Sequence, residues 1–470
     1  MSTVSRNMLW SSVISLLQIY TGSIVFIVLA KFMSVDDFGI LSFGFSLAAI
    51  LVVCADFGFS LMVMKDYPAV NSNPIIYISN SLILKSFISL LIFIITVVYL
   101  LHFFEGKWVL VGGLFTVFAI ISSFILYFQS LMKLQNKFGK HTETIIVYAV
   151  CITATIILYW FLGMSLEYLV LGILISRIIQ LIWSFFICKD CFSLSNISFD
   201  HQNKLAKGMW SFGLHTIIGI FYFMVDTQII SIFLDAKAVA LYQSVFRIIL
   251  VLLIVSEMLS NVLLPYLSFK YFHKNDVDLF ISKLFLFLFI IGCSLFLFFT
   301  SFSEFIIQFL YSEEYLLALP LVVPLSFVLI LRTISSLLGN ILTVSNKQVY
   351  RVKTVLTSLV LSLMLNLALI PKYGIIAAAW VSVVVHVCMF VMYLFYSKKE
   401  VRGAQFFSKD LIIILMGTTM LFFSVQWFSY IQPIIVNILA ILMWFVCLYV
   451  VMKRNDNFVF LSNLMKDKGV

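Results

Sequence analysis

Seven ionisable side chains interrupt long apolar stretches of the sequence, and these residues are the ones that offer chemistry: Asp56, Lys85, Arg177, Asp226, Arg247, Glu257 and Arg332. A charge at the centre of a bilayer costs about 2.5–3.5 kcal/mol on insertion scales, so each should face protein or water. Four cations against three anions leave one positive charge in excess. The set predicts ion pairing and the binding of an anion.

Pairing between helices depends on depth, because a helix rises about 1.5 Å per residue. Asp226 and Arg247 each lie about eight residues, or roughly 12 Å, from the outer ends of consecutive antiparallel helices. Equal depth predicts a salt bridge between them. The same comparison predicts two further pairs, Asp56–Lys85 near the inner ends of their helices and Glu257–Arg332 with depths that match less well.

Arg177 has no acidic partner in its own half of the sequence and is the strongest candidate for a contact with a phosphate group. A guanidinium binds phosphate oxygens bidentately and keeps its charge in a cavity of low dielectric. The alternative is structural, with Arg177 bonded to backbone carbonyls or to Ser176. Lys85 and Arg332 are further candidates for the same role, and the structural or coupling charges are Asp56, Asp226, Arg247 and Glu257.

Metal and redox chemistry have weak support in the sequence. Cys188 and Cys191 form a single C-x-x-C without the second pair or the nearby histidines that complete a metal site. His215 and His386 lie in apolar segments, where a histidine carries a coupling proton or, more often, makes a buried hydrogen bond. We expect no metal and no cofactor.

The amino-acid composition is that of an integral membrane protein, so these charges lie in membrane-spanning segments. Hydrophobic residues make up 63% of the 470 residues and charged residues 11%, and the mean hydropathy is +1.13. Soluble domains carry about 25% charged residues. Backbone groups inside a bilayer need partners within their own segment, so the predicted fold class is an all-α polytopic membrane protein. The first apolar segment lacks a cleavage site and is expected to remain as a helix.

Apolar windows predict fourteen transmembrane helices, near residues 8–30, 38–64, 76–103, 108–131, 144–162, 166–187, 210–234, 239–264, 280–302, 317–344, 352–370, 375–397, 410–428 and 432–452. They divide into a six-helix bundle at 1–188, a cytoplasmic linker at 189–209, a second six-helix bundle at 210–397, and two extra helices with a tail at 398–470.

The basic residues predict the orientation. With the N-terminus in the cytoplasm, 22 of the 30 Lys and Arg residues fall on the cytoplasmic side, and only Lys31, Lys107, Lys237 and Lys372 fall outside. This asymmetry satisfies the positive-inside rule and places both termini in the cytoplasm. The scattered basic residues form no stripe, which argues against nucleic acid as a partner despite the net charge of +9.

The two predicted bundles show signs of an internal repeat. The sequence at the end of the first predicted helix, residues 28–33, is similar to that at the end of the seventh, residues 229–234. Asn136-Lys137 after the fourth predicted helix likewise corresponds to Asn346-Lys347 after the tenth. Short outer turns near Gly163 and Pro371 join the last two helices of each bundle. Because the bundles keep the same orientation, the repeat is parallel, and a cavity between such bundles suits alternating access.

Several local motifs resemble the multidrug/oligosaccharidyl-lipid/polysaccharide (MOP) flippase superfamily, in particular its polysaccharide branch with the Wzx-type O-antigen flippases. They are Asp37-Phe38-Gly39, Asp56-Phe57-Gly58, Asp226 with Tyr242 and Arg247, Leu310 to Tyr315, and Asn366 to Gly374. The resemblance covers the first twelve helices. Ser312 and Ala377 depart from it, because the family commonly has glycine at both positions.

This resemblance implies a flippase, not an enzyme, of a bacterial inner membrane. Its substrate would be an undecaprenyl-pyrophosphate-linked oligosaccharide, such as an O-antigen unit of lipopolysaccharide. The implied partners are membrane lipids, a glycan polymerase and chain-length machinery. Three alternatives stay open: a multidrug or small-molecule antiporter of the same superfamily, a membrane-embedded glycan polymerase or glycosyltransferase, and a structural scaffold. The outer loops are short for a glycosyltransferase, and the sequence has no G-x-x-x-x-G-K-[ST] loop for ATP.

Overall fold

The computed structural model describes residues 3–66, 74–192, 199–273, 277–428 and 433–454. All regular structure in these ranges is helical, which confirms the all-α prediction. The α-helices are α1 Thr3–Ile19, α2 Val25–Phe32, α3 Val35–Asp56, α4 Phe59–Asp66, α5 Pro74–Phe103, α6 Lys107–Leu134, α7 Phe138–Leu162, α8 Leu166–Cys188, α9 Phe199–Phe233, α10 Ala236–His273, α11 Val277–Ser301, α12 Ser303–Leu310, α13 Leu319–Val344, α14 Gln348–Glu400, α15 Lys409–Phe428 and α16 Pro433–Arg454.

Twelve of the described helical segments are long and apolar enough to cross a membrane. One of them, α14, contains both the eleventh and the twelfth predicted helix, and α16 supplies a shorter apolar segment, Val436–Tyr449. The described helices therefore agree with about fourteen spans.

Two predicted helices are interrupted where the sequence pattern suggested continuity. The first contains a π-helical turn, Tyr20–Ile24, between α1 and α2. The second breaks after Asp56, because Phe57 and Gly58 both have positive φ, and resumes as α4. Hydropathy misses both because each break is short and strongly apolar neighbours dominate the averaged window.

Several other boundaries also differ from prediction, and two helix starts are examples. α7 begins at Phe138 and α9 at Phe199, earlier than the predicted 144 and 210. Their first turns are polar, so a hydropathy window does not detect them. Between the eleventh and twelfth predicted helices, the break is confined to Gly374, whose φ of 66° and ψ of −154° are readily adopted only by glycine.

By its internal contacts the chain divides into two compact units, residues 1–243 and 244–470. In the first unit α3 packs against α6 and α9, α6 packs against α8, and α7 packs against α1 and α8. The most apolar window of α3 is 72% buried, whereas that of α5 is 22% buried. α3 is therefore central in the first unit, whereas most of α5 is not covered by other described residues.

α3 packs tightly because small side chains occupy its buried positions. Ser42, Gly44, Ser46 and Ala48 are all buried. Lipid tails are as apolar as the side chains, so helices associate in membranes chiefly through close van der Waals packing, which small residues permit. The hydroxyls of Ser42 and Ser46 donate hydrogen bonds to backbone carbonyls about one turn earlier in the helix, so both buried donors are satisfied.

In the second unit α13 packs against α11 and α14, and α11 is the most buried of its helices. The two extra helices also pack here, because α15 and α16 contact each other and α11. Trp444 Nε1 donates a hydrogen bond to Ser294 Oγ at 2.9 Å, and Asn437 Nδ2 donates to the carbonyl of Ser301 at 2.5 Å. α15 and α16 are thus integral to this unit.

Two turns, one in each unit, have the same conformation and lie at positions that the sequence pattern matched to each other. Asn136 and Asn346 have positive φ values of 56° and 58°. The backbone N–H of Lys137 donates to Met132 O at 2.8 Å, and that of Lys347 donates to Leu342 O at the same distance. Both turns end a helix in the left-handed conformation, in which asparagine is among the favoured residues.

Candidate functional site

The buried ion pair between Asp56 and Lys85 confirms one sequence prediction. Lys85 Nζ lies 2.9 Å from Asp56 Oδ1, and the two side chains are 0% and 13% exposed. Lys85 also donates to the carbonyl of Ala55 at 3.2 Å. The lysine is therefore neutralised and fully enclosed, which makes it a structural member of the first unit's interior.

The same pair stabilises the break between α3 and α4. Asp56 Oδ1 accepts a hydrogen bond from Ser60 Oγ at 2.6 Å, and Oδ2 accepts from the backbone N–H of Ser60 at 3.3 Å. The carboxylate thus binds an N–H that the break leaves without a helical partner. Phe57, at φ 40°, occupies a region that a bulky residue rarely adopts, so the break stores strain.

Arg177 lies on the buried face of α8. Residues on the same face, Ile173, Gln180 and Ser184, are all buried, yet Arg177 itself is partly exposed. Its Nη1 donates to Gln180 Oε1 at 2.7 Å, and its guanidinium stacks 3.7 Å from the ring centroid of Tyr148. Arg177 is thus a partly exposed cation whose guanidinium contacts buried side chains of the first unit.

No carboxylate in the described part of the chain lies within ion-pair distance of Arg177, in agreement with the sequence prediction. The alternative, a structural role with bonds to backbone carbonyls or to Ser176, stays open; Arg177 bonds to Gln180, and Ser176 Oγ donates to the carbonyl of Gly172. The Nε atom of Arg177 is buried without a hydrogen-bond partner. Gln180 and Tyr148, which contact the guanidinium, were not identified from the sequence. Gln180 could have been found, because it follows Arg177 at the i+3 spacing that brings helical side chains together.

Glu257 and Arg332 form the predicted pair in the second unit. Arg332 Nη2 lies 3.3 Å from Glu257 Oε1, and the side chains are 22% and 59% exposed. A carboxylate that is more than half exposed within an apolar helix requires water, because lipid would not solvate it. The pair therefore lies outside the packed core of the second unit.

The predicted pair of Asp226 and Arg247 stays a prediction, because the two residues belong to different units. Asp226 Oδ2 accepts a hydrogen bond from Tyr242 at 3.0 Å, which connects α9 to α10 within the first unit. His386 makes the buried hydrogen bond expected of it, with Nδ1 2.7 Å from the carbonyl of Ser382. The side chain of His215 lies outside the described residues.

The motif around Asp37 to Gly39 is explained by close packing. Ser34 Oγ accepts a hydrogen bond from the backbone N–H of Asp37 and caps α3. A Cβ atom at Gly39 would overlap the carbonyl oxygen of Ala236, so only glycine allows α3 to approach the start of α10 this closely.

Two further motif regions shape turns. The rings of Tyr311 and Tyr315 are buried and stack 5.0 Å apart, and Tyr311 OH donates to the carbonyl of Ser244 at 3.1 Å. Asn366 is buried and donates to Ser362 Oγ at 3.1 Å, eight residues before the break at Gly374. These residues position helices and do not line a described cavity.

Among the described residues, no group of three or more His, Cys, Asp or Glu side chains could hold a metal ion. The interior polar groups are therefore charges and hydrogen-bonding side chains. They can bind and orient an ionic group.

Comparison with known proteins agrees with this geometry. A family model described as "polysaccharide biosynthesis protein" matches residues 4–269. A probable low-salt glycan biosynthesis flippase, Agl15, of Haloferax volcanii is 24% identical over 361 residues, 74% of this chain and 74% of that protein. An uncharacterised membrane protein of Methanocaldococcus jannaschii, MJ1068, is 25% identical over 364 residues, 73% of this chain and 70% of that protein.

Two solved structures share the fold. The lipid II flippase MurJ in an inward closed conformation aligns with a TM-score of 0.73 at 15% identity, over 95% of this chain and 100% of that chain. An inward-facing multidrug resistance MATE family transporter of the MOP superfamily aligns with a TM-score of 0.65 at 11% identity, over 82% of this chain and 95% of that chain. Because the family model covers more than half of the 470 residues, the chain belongs to the polysaccharide biosynthesis protein family.

Proposed function

We propose that this protein is a flippase that moves an undecaprenyl-pyrophosphate-linked oligosaccharide from the inner to the outer leaflet of a bacterial inner membrane by alternating access. The observation that carries the proposal is Arg177, an inward-pointing and partly exposed cation that has no carboxylate partner among the described residues. Family membership and the similarity to a glycan biosynthesis flippase support the class of substrate.

Arg177 is suited to a pyrophosphate for a physical reason. Its stack on Tyr148 fixes the plane of the guanidinium, and one bond to Gln180 leaves further N–H donors for an anion. Phosphate oxygens accept two such bonds in parallel. A fixed charged fork also loses little conformational entropy when a ligand binds.

Arg332 is the corresponding candidate in the second unit. Its pair with Glu257 is partly exposed, with the two side chains 22% and 59% exposed. Lys85 is the weakest of the three predicted contacts, because it is fully buried against Asp56. We therefore propose Arg177 and Arg332 as substrate contacts and assign Lys85 to the support of the α3–α4 break.

Energy for export is proposed to come from the membrane potential, an ion gradient or the consumption of the product. The sequence has no phosphate-binding loop for ATP. The prenyl tail can stay in lipid while the head group crosses. Moving each negative charge outward across an inside-negative membrane gains about 2.3 kcal/mol per 100 mV.

The finer assignments belong to the same proposal. Both termini lie in the cytoplasm, as the positive-inside asymmetry predicts. The related six-helix halves are 1–188 and 210–397, joined by a cytoplasmic linker at 189–209. The cargo is an O-antigen or similar surface-glycan unit, and a polymerase and chain-length machinery receive it on the outer side.

The testing experiment deletes the gene and measures surface polysaccharide together with lipid-linked oligosaccharide in the inner leaflet. A flippase predicts lost surface glycan and accumulated, fully assembled precursor, whose composition identifies the cargo. Complementation with Arg177→Ala should fail, Arg177→Lys should restore part of the export, and Lys140→Ala should restore all of it. Lys140 is a fair control because it is an exposed cation that pairs with Glu143.

Other outcomes would reject parts of the proposal. Wild-type export by Arg177→Ala at normal expression would remove Arg177 from the substrate path. Intact surface glycan in a deletion strain that has no second exporter would reject the flippase. Increased drug susceptibility in that strain would favour the multidrug antiporter, whose fold this chain shares.

A further inference from the structure

Cys188 and Cys191, which the flippase proposal does not use, lie together at the end of α8. Cys188 is the last residue of the helix, and Cys191 ends the 3₁₀ turn that follows. Side chains at i and i+3 of a 3₁₀ turn eclipse each other, which brings the two thiols to the same side of the chain. Both cysteines are free, and both pack in one core cluster with residues of α4 and α6.

The two thiols have different surroundings. Cys188 is 1% exposed, and its Sγ lies 3.7 Å from the carbonyl of Phe128, to which it donates. Cys191 is 8% exposed and accepts a hydrogen bond from Gln135 Nε2 at 2.9 Å. A donated N–H stabilises a thiolate, whereas a carbonyl partner retains the thiol proton.

Cys191 also lines a cavity, and Cys188 does not. The cavity has a volume of about 140 Å³, and its polar lining residues are Gln135, Lys137, Asp190 and Cys191. A water molecule occupies roughly 30 Å³ of liquid, so a molecule of hydrogen peroxide fits with room to spare. The positive charge of Lys137 at the same cavity favours the thiolate form of Cys191.

We propose that Cys188 and Cys191 form a site of reversible oxidation by hydroperoxides. Cys191 loses its proton to solvent, and its thiolate attacks one oxygen of the peroxide. The O–O bond breaks, Cys191 becomes a sulfenic acid, and the departing hydroxide takes up a proton to form water. Cys188 then attacks Sγ of Cys191, the S–S bond forms, the S–O bond breaks, and a second water leaves with the thiol proton of Cys188.

The balance of these steps is two thiols and one peroxide giving one disulfide and two waters. The ring that this disulfide closes is very short, so it restricts the unfolded chain little and adds little stability. A bond of this kind is readily reduced, which suits a reversible modification. The Gln135 hydrogen bond to a thiolate is lost on oxidation, so the junction of α6 and α8 changes with redox state.

The test uses the full chain, purified in its reduced form in lipid nanodiscs and treated with hydrogen peroxide. Peptide mass spectrometry should find the Cys188–Cys191 disulfide, and a thiol reductant should remove it. In Cys188→Ser a dione probe should trap sulfenic acid at Cys191, whereas Cys191→Ser should give none at Cys188. Lys137→Met should slow oxidation several-fold, and Lys140→Met, a change to an exposed lysine on the same turn, should leave the rate unchanged.

The unmodified protein provides a test that does not depend on the folding of any variant. Cys191 should react with peroxide and with a small alkylating agent at least several-fold faster than Cys151, which is similarly part of a helix but lines no described cavity. Equal reactivity of the two cysteines, or peroxide products other than the Cys188–Cys191 disulfide, would overturn the proposal.

Discussion

The guanidinium of Arg177 lies 3.7 Å from the ring centroid of Tyr148, so the cation on α8 is held by an aromatic ring on α7. Phe118 on α6 contributes a second ring at 4.9 Å. A cation–π contact that is partly shielded from water contributes about 0.5–2 kcal/mol. Three helices thus fix one charge without neutralising it, and this arrangement distinguishes Arg177 from Lys85 and Arg332.

Replacing the Tyr148 ring should reduce export, because the ring positions the guanidinium of Arg177. Tyr148→Leu removes the stack, so we expect glycan export to fall several-fold, to about the level of Arg177→Lys. Tyr148→Phe keeps a ring face and should retain most of the export. The measurement is surface glycan in the complemented deletion strain at matched expression. Tyr168→Leu, at an exposed position, serves as the control; normal export by Tyr148→Leu would show that Tyr148 does not position the cation.

Breaking the Asp56–Lys85 pair should destabilise the protein strongly. Lys85→Met or Asp56→Leu leaves one uncompensated charge inside the first unit and should cost about 3–5 kcal/mol. The double variant removes both charges and should recover much of the loss. Thermal unfolding of the purified protein in detergent measures this. Additive losses in the double variant would show that the two side chains are not coupled.

A methyl group at Gly39 should disturb the fold, whereas one at Gly113 should not. Gly39→Ala overlaps the backbone of Ala236 and should cost about 1–3 kcal/mol as helices move apart. Gly113 has open space around the added atom, so Gly113→Ala should be neutral or slightly stabilising. Comparison of detergent-solubilised yields and unfolding temperatures tests the pair. Equal behaviour of the two variants would contradict the close approach.

The asparagine turns should respond alike in both units. At Asn346, glycine should be tolerated because it adopts positive φ freely, whereas valine should cost about 1–2 kcal/mol. The same substitutions at Asn136 should give the same order and similar size. Unfolding temperatures of the four variants provide the measurement. If the valine variant were more stable than the glycine variant at either site, the two turns would not be equivalent.

Much of the fold follows from composition and pattern. Apolar windows locate spans because a bilayer requires about 20 apolar residues in an internally bonded helix. The breaks within spans do not follow, since each is short and its residues are averaged with strongly apolar neighbours in a hydropathy window. Polar helix extensions such as the start of α9 are missed for the opposite reason.

The charges divide in a similar way. Depth along the helices predicts the Asp56–Lys85 pair, and the Glu257–Arg332 pair, whose depths match less well, is expected because a buried charge requires a partner. The sequence likewise predicts that Arg177 has no acidic partner in its own half of the chain. Only the tertiary structure decides which charges remain accessible, because exposure depends on how neighbouring helices pack around each side chain.

The sequence by itself determines an all-helical membrane protein, its spans and its repeated turns, since hydropathy and turn chemistry are local properties. Tertiary structure decides that Lys85 is enclosed, that Arg177 is stacked on Tyr148 but partly exposed, and that Cys191 lines a cavity while Cys188 does not. These are properties of several helices at once, and no spacing within one helix encodes them.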